Sequence, residues 1–123
     1  MPVKREVLDP DLSTPLKVVY TLHDAVDLDA AGGTNPTNMS DAVDVRSARA
    51  LVLTVIHNLA GSNSTDLDVF VYTSVDGQVF DTEPYAAINV GANTVRSIPI
   101  VAGVNYIKVK VSNNDAGNAT KVT

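Results

Sequence analysis

The chain has 123 residues, the length of one domain, with a formal net charge of −5, 45% hydrophobic residues and no cysteine. Global disorder, disulfides and thiolate metal sites are thereby excluded, and an acidic chain lacks the basic stripe with which a nucleic-acid groove displaces counterions. No apolar run is long enough for a membrane helix, and Lys4 and Arg5 have no apolar run behind them, so neither a helical span nor a secretory signal is expected.

Residues 1–15, MPVKREVLDPDLSTP, hold Pro2, Pro10 and Pro15 and show no helical or strand period. Proline fixes φ and has no backbone N–H, which predicts an extended N-terminal arm. Val3, Val7, Leu8 and Leu12 give this arm apolar groups that a solvated tail does not need. They are its expected contacts with a neighbouring subunit. Residues 16–123 form the expected folded domain. LKVVYTL, 16–22, is rich in β-branched and apolar residues and reads as the first strand. Residues 30–38 carry Gly-Gly and Asn-Pro and read as a loop, and 41–45 alternates polar with apolar as a short strand.

RALVLTVI, 49–56, is too short for a typical helix, and its Val, Leu, Thr and Ile predict a central strand covered on both faces. After the turn-rich HNLAGSNST comes DLDVFVYT, 66–73, which alternates. Leu67, Val69 and Val71 point one way, and Asp66, Asp68, Phe70 and Tyr72 the other. AAINV, TVRSIPI and ATKVT read as further strands, with GAN a tight turn and AG another. In VNYIKVKVS, Ile107, Val109 and Val111 face the core while Tyr106, Lys108 and Lys110 face out. NNDAGN, 113–118, is expected to be a hairpin loop of residues that tolerate positive φ. Short strands with turn chemistry between them and no helical period predict an all-β fold. Its expected form is an antiparallel two-sheet β-sandwich with jelly-roll or Greek-key connections.

The window YTSVDGQVFDTEPY, 72–85, concentrates polar chemistry. Against a calcium loop of the EF-hand type, Gly77 and Glu83 fall at the glycine and closing-glutamate positions, but Tyr72 stands where the first carboxylate belongs. Ser74-Val75-Asp76-Gly77 reads better as a turn, with the sheet resuming at Val79 and Phe80 and interrupted at Pro84. Asp76, Asp81 and Glu83 could supply an acid pair for glycoside hydrolysis, yet the chain has no tryptophan and only 5% aromatics to hold a sugar. His23 and His57 are the only imidazoles and fall in no metal-ligand spacing; the serines lack a nucleophile-elbow setting. Asp66 and Asp68 share a sheet face as solvated acids. No catalytic, cofactor or metal residue is assigned, and the chain is expected to be non-enzymatic.

The segments DAVDVRSARALVLTV, LDVFVYTSVDGQVFDTEPY and VGANTVRSIPIVAGVNYIKVKVSNND, in that order, resemble the small β-sandwich structural proteins of tailed-bacteriophage virions. The resemblance implies a head decoration (cement) protein on the outer surface of the capsid, made in the host cytoplasm. It implies the major capsid protein and neighbouring copies of the chain as partners, in homo-oligomers that include trimers, with no cofactor, nucleic acid or membrane. Together with the arm residues Val3, Val7, Leu8 and Leu12, the loop tips at Asp76 and Asn114 are the expected contacts. A carbohydrate-binding or adhesin-like sandwich, with Phe70, Tyr72 and Tyr85 as a small platform, is the alternative, as is a small tail or neck component.

Overall fold

The computed structural model describes residues 3–8, 15–48, 50–57, 64–100 and 104–123, and in these the protein is all-β with antiparallel sheets. Strand β1 (Val3–Leu8) pairs with β2 (Pro15–Thr21), from Val3 opposite Thr21 to Leu8 opposite Pro15. Of the expected arm, residues 3–8 are extended, and their ladder runs to the chain's own β2. Among the described residues neither strand is hydrogen-bonded to a third. Leu12 lies outside the described residues.

A five-stranded sheet forms around β7 (Leu67–Ser74) and β10 (Tyr106–Asn113), paired over eight residues from Leu67 opposite Asn113 to Ser74 opposite Tyr106. On the far side of β7 lies β8 (Ala86–Val90). On the far side of β10, β4 (Thr37–Met39) and β5 (Val43–Asp44) take successive stretches of one edge. Two further pairs are β3 (Val26–Leu28) with β11 (Thr120–Val122) and β6 (Leu51–Ile56) with β9 (Val95–Ile100). These pairs meet at a bridge between His57 and Val122. There Ile56 and Thr123 exchange both backbone hydrogen bonds, at 2.8 and 2.9 Å, which joins the end of β6 to the end of β11.

The buried apolar side chains of these strands form one cluster. Leu67, Val69 and Val71 of β7, Ile107, Val109 and Val111 of β10, and Val90 of β8 meet Leu28, Val55, Ile100 and Val122 from the other strands. Their branched side chains suit a pleated surface, and each contributes roughly 1.5–3 kcal/mol by leaving water. Among the described residues the buried core is entirely aliphatic.

Four sequence expectations are corrected. First, β6 is not a central strand covered on both faces. It pairs with β9 as its strand neighbour, Val55 is buried, and Val52 on the other face is 67% exposed. β9 carries Pro99, which an edge strand tolerates because no partner needs its N–H. Secondly, 113–118 is no hairpin loop. β11 leaves β10 and pairs with β3, because its Thr120 and Val122 are buried on that side of the core. Thirdly, Val79 and Phe80 do not resume the sheet; β8 begins at Ala86, after Pro84. Fourthly, the loop expected over 30–38 ends early, since Thr37–Met39 is β4.

Candidate binding face

The acid-rich window folds into a self-satisfied turn. Ser74 Oγ accepts the N–H of Gly77 at 3.0 Å and donates to the carbonyl of Val79 at 2.6 Å. Asp76 Oδ1 accepts the N–H groups of Gln78 at 2.9 Å and Val79 at 3.0 Å. These backbone donors, Val79 foremost, hold the Asp76 carboxyl below its ordinary range, with the Ser74 hydroxyl adding to them. Gly77 is required twice over. Its φ is +78°, and a Cβ there would stand 3.1 Å from the Tyr106 ring. Asp76 and Asp81 line one cleft with Thr73, Ser74, Val75, Val79 and Val104. Asp81 accepts the Thr73 hydroxyl at 3.1 Å, and Glu83 is exposed. Among the described residues no three His, Cys, Asp or Glu side chains converge on a point where a metal ion could sit.

Asp66 and Asp68 do share one face, as alternation predicted, and two amides hold them there. Asn89 Nδ2 donates to Asp66 at 2.6 Å and to Asp68 at 2.8 Å, and Asn114 Nδ2 donates to Asp68 at 2.6 Å. Asn114 is thus a bridge from the β10 end to β7, and its Oδ1 accepts Asn35 Nδ2 at 2.7 Å. Asp115, two residues beyond β10, accepts the N–H groups of Thr65 and Gly117. Those bonds, with Thr65 first, lower its carboxyl to about 2. Asp76 therefore sits in a turn tied within itself, and Asn114 in a separate turn tied to β7 and to Asn35.

The two histidines are buried structural groups. His57 Nδ1 donates to the Gly91 carbonyl at 2.8 Å, which leaves Nε2 to accept the Thr120 hydroxyl at 2.7 Å. This ring fastens the seam where β6 meets β11. His23 Nε2 donates to the Asn38 carbonyl at 3.2 Å, and burial lowers its pKa below the ordinary 6.5.

The outward side of the five-stranded sheet gathers most of the aromatic residues. Register sets Lys108 opposite Tyr72 and Lys110 opposite both Phe70 and Met39. Lys108 Nζ stands 4.4 Å from the centre of the Phe80 ring; Lys110 Nζ is 4.9 Å from Phe70 and 5.7 Å from Tyr72. Further along β10, Arg46 lies 5.3 Å from the Tyr106 ring and is held by Asp44 at 2.6 Å. That Arg46 hydrogen bond lowers the Asp44 carboxyl. Phe70 and Tyr72 are half-buried, with lysine ammonium groups over their rings. Alternation placed these side chains outward; their grouping into pairs needed the β7–β10 register, for which the sequence carries no local signal. No protein-family model, curated protein or solved structure matches the chain.

Proposed function

We propose that the chain is a non-enzymatic structural protein of a tailed-bacteriophage virion. In this reading it is a head decoration (cement) protein that binds and stabilises the assembled capsid shell from outside. Its body is, on the same reading, a two-sheet sandwich, the β3–β11 and β6–β9 pairs making the layer opposite the five-stranded sheet; the bridge between those pairs and the shared aliphatic cluster support it. A Greek-key connection is favoured over a jelly roll. β7 and β8 are neighbours, β9 crosses to pair with β6, and β10 returns beside β7.

The observation that carries the proposal is the β1–β2 pair. The described core cluster comes from the remaining strands, while β1 and β2 make a ladder with each other alone among the described residues. Two strands by themselves are marginal in water, and a third from another polypeptide completes such a ladder. The partner is the major capsid protein, with neighbouring copies of the chain as further contacts in a homo-oligomer, a trimer in the family it resembles. Many weak copies on one shell act together, which suits a clamp against shell expansion. Synthesis in the host cytoplasm and a place on the outer capsid surface follow from the role.

The test is co-sedimentation of the chain with undecorated phage heads, beside a variant lacking residues 1–21. The full chain should pellet with the heads and the shortened one should stay in the supernatant, folded by circular dichroism. Equal pelleting of both, or of neither, would overturn the proposal. A second reading, a carbohydrate-binding module, is favoured by one observation, the outward-facing Phe70 and Tyr72. Binding to neutral glycans on an array, lost in Tyr72→Ala, would support it over the first.

A further inference from the structure

Among the described residues two cations on β10 stand over rings without a carboxylate partner, whereas Arg96, also without one, donates to the Asn89 carbonyl at 3.2 Å. Arg46 is paired with Asp44 at 2.6 Å and Lys121 with Asp27 at 3.5 Å. Lys108 and Lys110 stand over rings instead, and among the described residues neither ammonium has a carboxylate within ion-pair distance. The chain as a whole carries a net −5, so carboxylates are not scarce. Rings beneath a lysine bury its stem and hold its head group in place, which lowers the entropy lost when an anion binds it. The two residues are two apart on one strand face, so their side chains leave the sheet about 6.7 Å from one another. Beside them the row Met39, Lys110, Phe70 and Ala87 runs across the sheet in register, with Met39 42% exposed.

We propose that this face docks an extended acidic segment of a partner polypeptide, whose alternate carboxylates meet Lys108 and Lys110 while its backbone lies over Met39, Phe70 and Tyr72. The charge is complementary at these two positions, because Lys108 and Lys110 have no carboxylate partner among the described residues, while Asp66 and Asp68 farther along the face are tied by the Asn89 and Asn114 amides. The repeat is complementary as well, since an extended chain presents side chains on one face at the same interval as β10. Apolar surface between the cations supplies the part of the contact that salt does not weaken. The inference deepens the function proposed above by naming the partner's chemistry, and it rests on that reading for the partner being a protein.

The experiment is a titration of the isotopically labelled full chain with poly-L-glutamate at low salt, followed by amide shifts, beside the same titration with polygalacturonate. The expected result is shifts at residues 106–112 and 70–72 with poly-L-glutamate. K108Q/K110Q should weaken that binding roughly tenfold, two exposed ion pairs of about 0.7 kcal/mol each. Shifts with polygalacturonate alone, shifts on another face, or none at all would overturn the proposal. Head co-sedimentation separates the two readings. If wild type takes poly-L-glutamate on this face yet never pellets with heads, the virion assignment fails and the docking face stands. If K108Q/K110Q pellets with heads as fully as wild type, the docking face fails and the virion assignment stands.

Discussion

Asn113→Ala would release the loops that one buried side chain ties together at the end of β10. Asn113 is fully buried. Its Nδ2 donates to the carbonyls of Asp29 and Asn118, both at 2.9 Å. Its Oδ1 accepts the Ser64 hydroxyl at 2.7 Å and the Asp115 N–H at 3.1 Å. Truncation to alanine removes all four bonds. Each net hydrogen bond contributes about 0.5–1.5 kcal/mol, and a buried polar group left unpaired costs about 1–3 kcal/mol. Asp29 and Asn118 are exposed residues, so their carbonyls can turn to water. Ser64 is fully buried and its hydroxyl cannot. One stranded hydroxyl with the weakened remainder gives a loss of about 2–4 kcal/mol, a large part of the ~5–15 kcal/mol that holds a domain folded.

Urea unfolding followed by circular dichroism measures it, with a midpoint lowered by roughly 1–2 M at unchanged slope. Asn113→Asp is the sharper variant. It keeps the shape and both accepting roles but sets a carboxylate oxygen against the Asp29 and Asn118 carbonyls, so it should cost at least as much as alanine. The surface control Asn35→Ala should stay within about 0.5 kcal/mol. A loss below about 0.5 kcal/mol for both Asn113 variants would refute the reasoning, since that is the range of a surface substitution.

Gly77→Ala forces a side chain into a left-handed backbone and against the Tyr106 ring, and thermal unfolding should show a loss of about 1–2 kcal/mol. Val69→Asp sets an unpaired carboxylate at a position 1% exposed, and the variant should be unfolded by circular dichroism at neutral pH. His23 has a folded pKa below 6.5, lowered chiefly by burial, so below that pH the unfolded chain binds the proton more readily. Its stabilising share is complete above pH 6.5 and is lost as pH falls toward the folded pKa. Urea midpoints at several pH values between 7.5 and 5 should fall with acid in the wild type and fall less in His23→Gln.

Local chemistry in the sequence decided which side chains face inward. A strand's faces repeat every two residues, so Leu67, Val69 and Val71 on β7 and Ile107, Val109 and Val111 on β10 could be assigned to the core from alternation alone, and all six are buried. The Ser74–Gly77 turn was legible for the same reason: a serine, an aspartate and a glycine satisfy their own neighbours' backbone. The continuous apolar run of β6 misled, because hydrophobicity on both faces of a short strand does not say whether a second layer covers each of them.

What the tertiary structure alone decided is pairing. The pairing of Thr120–Val122 with β3 rather than β10, the bond from the Thr120 hydroxyl to the His57 ring, and the Asn113 tie to Asp29 and Ser64 join residues far apart in the chain. So do the contacts of Lys108 with Phe80 and Lys110 with Phe70, on which the docking face depends. Alternation specifies a side of a strand and leaves open which strand lies beside it. That choice comes from the shared burial of both partners in one core, a property no stretch of sequence holds alone.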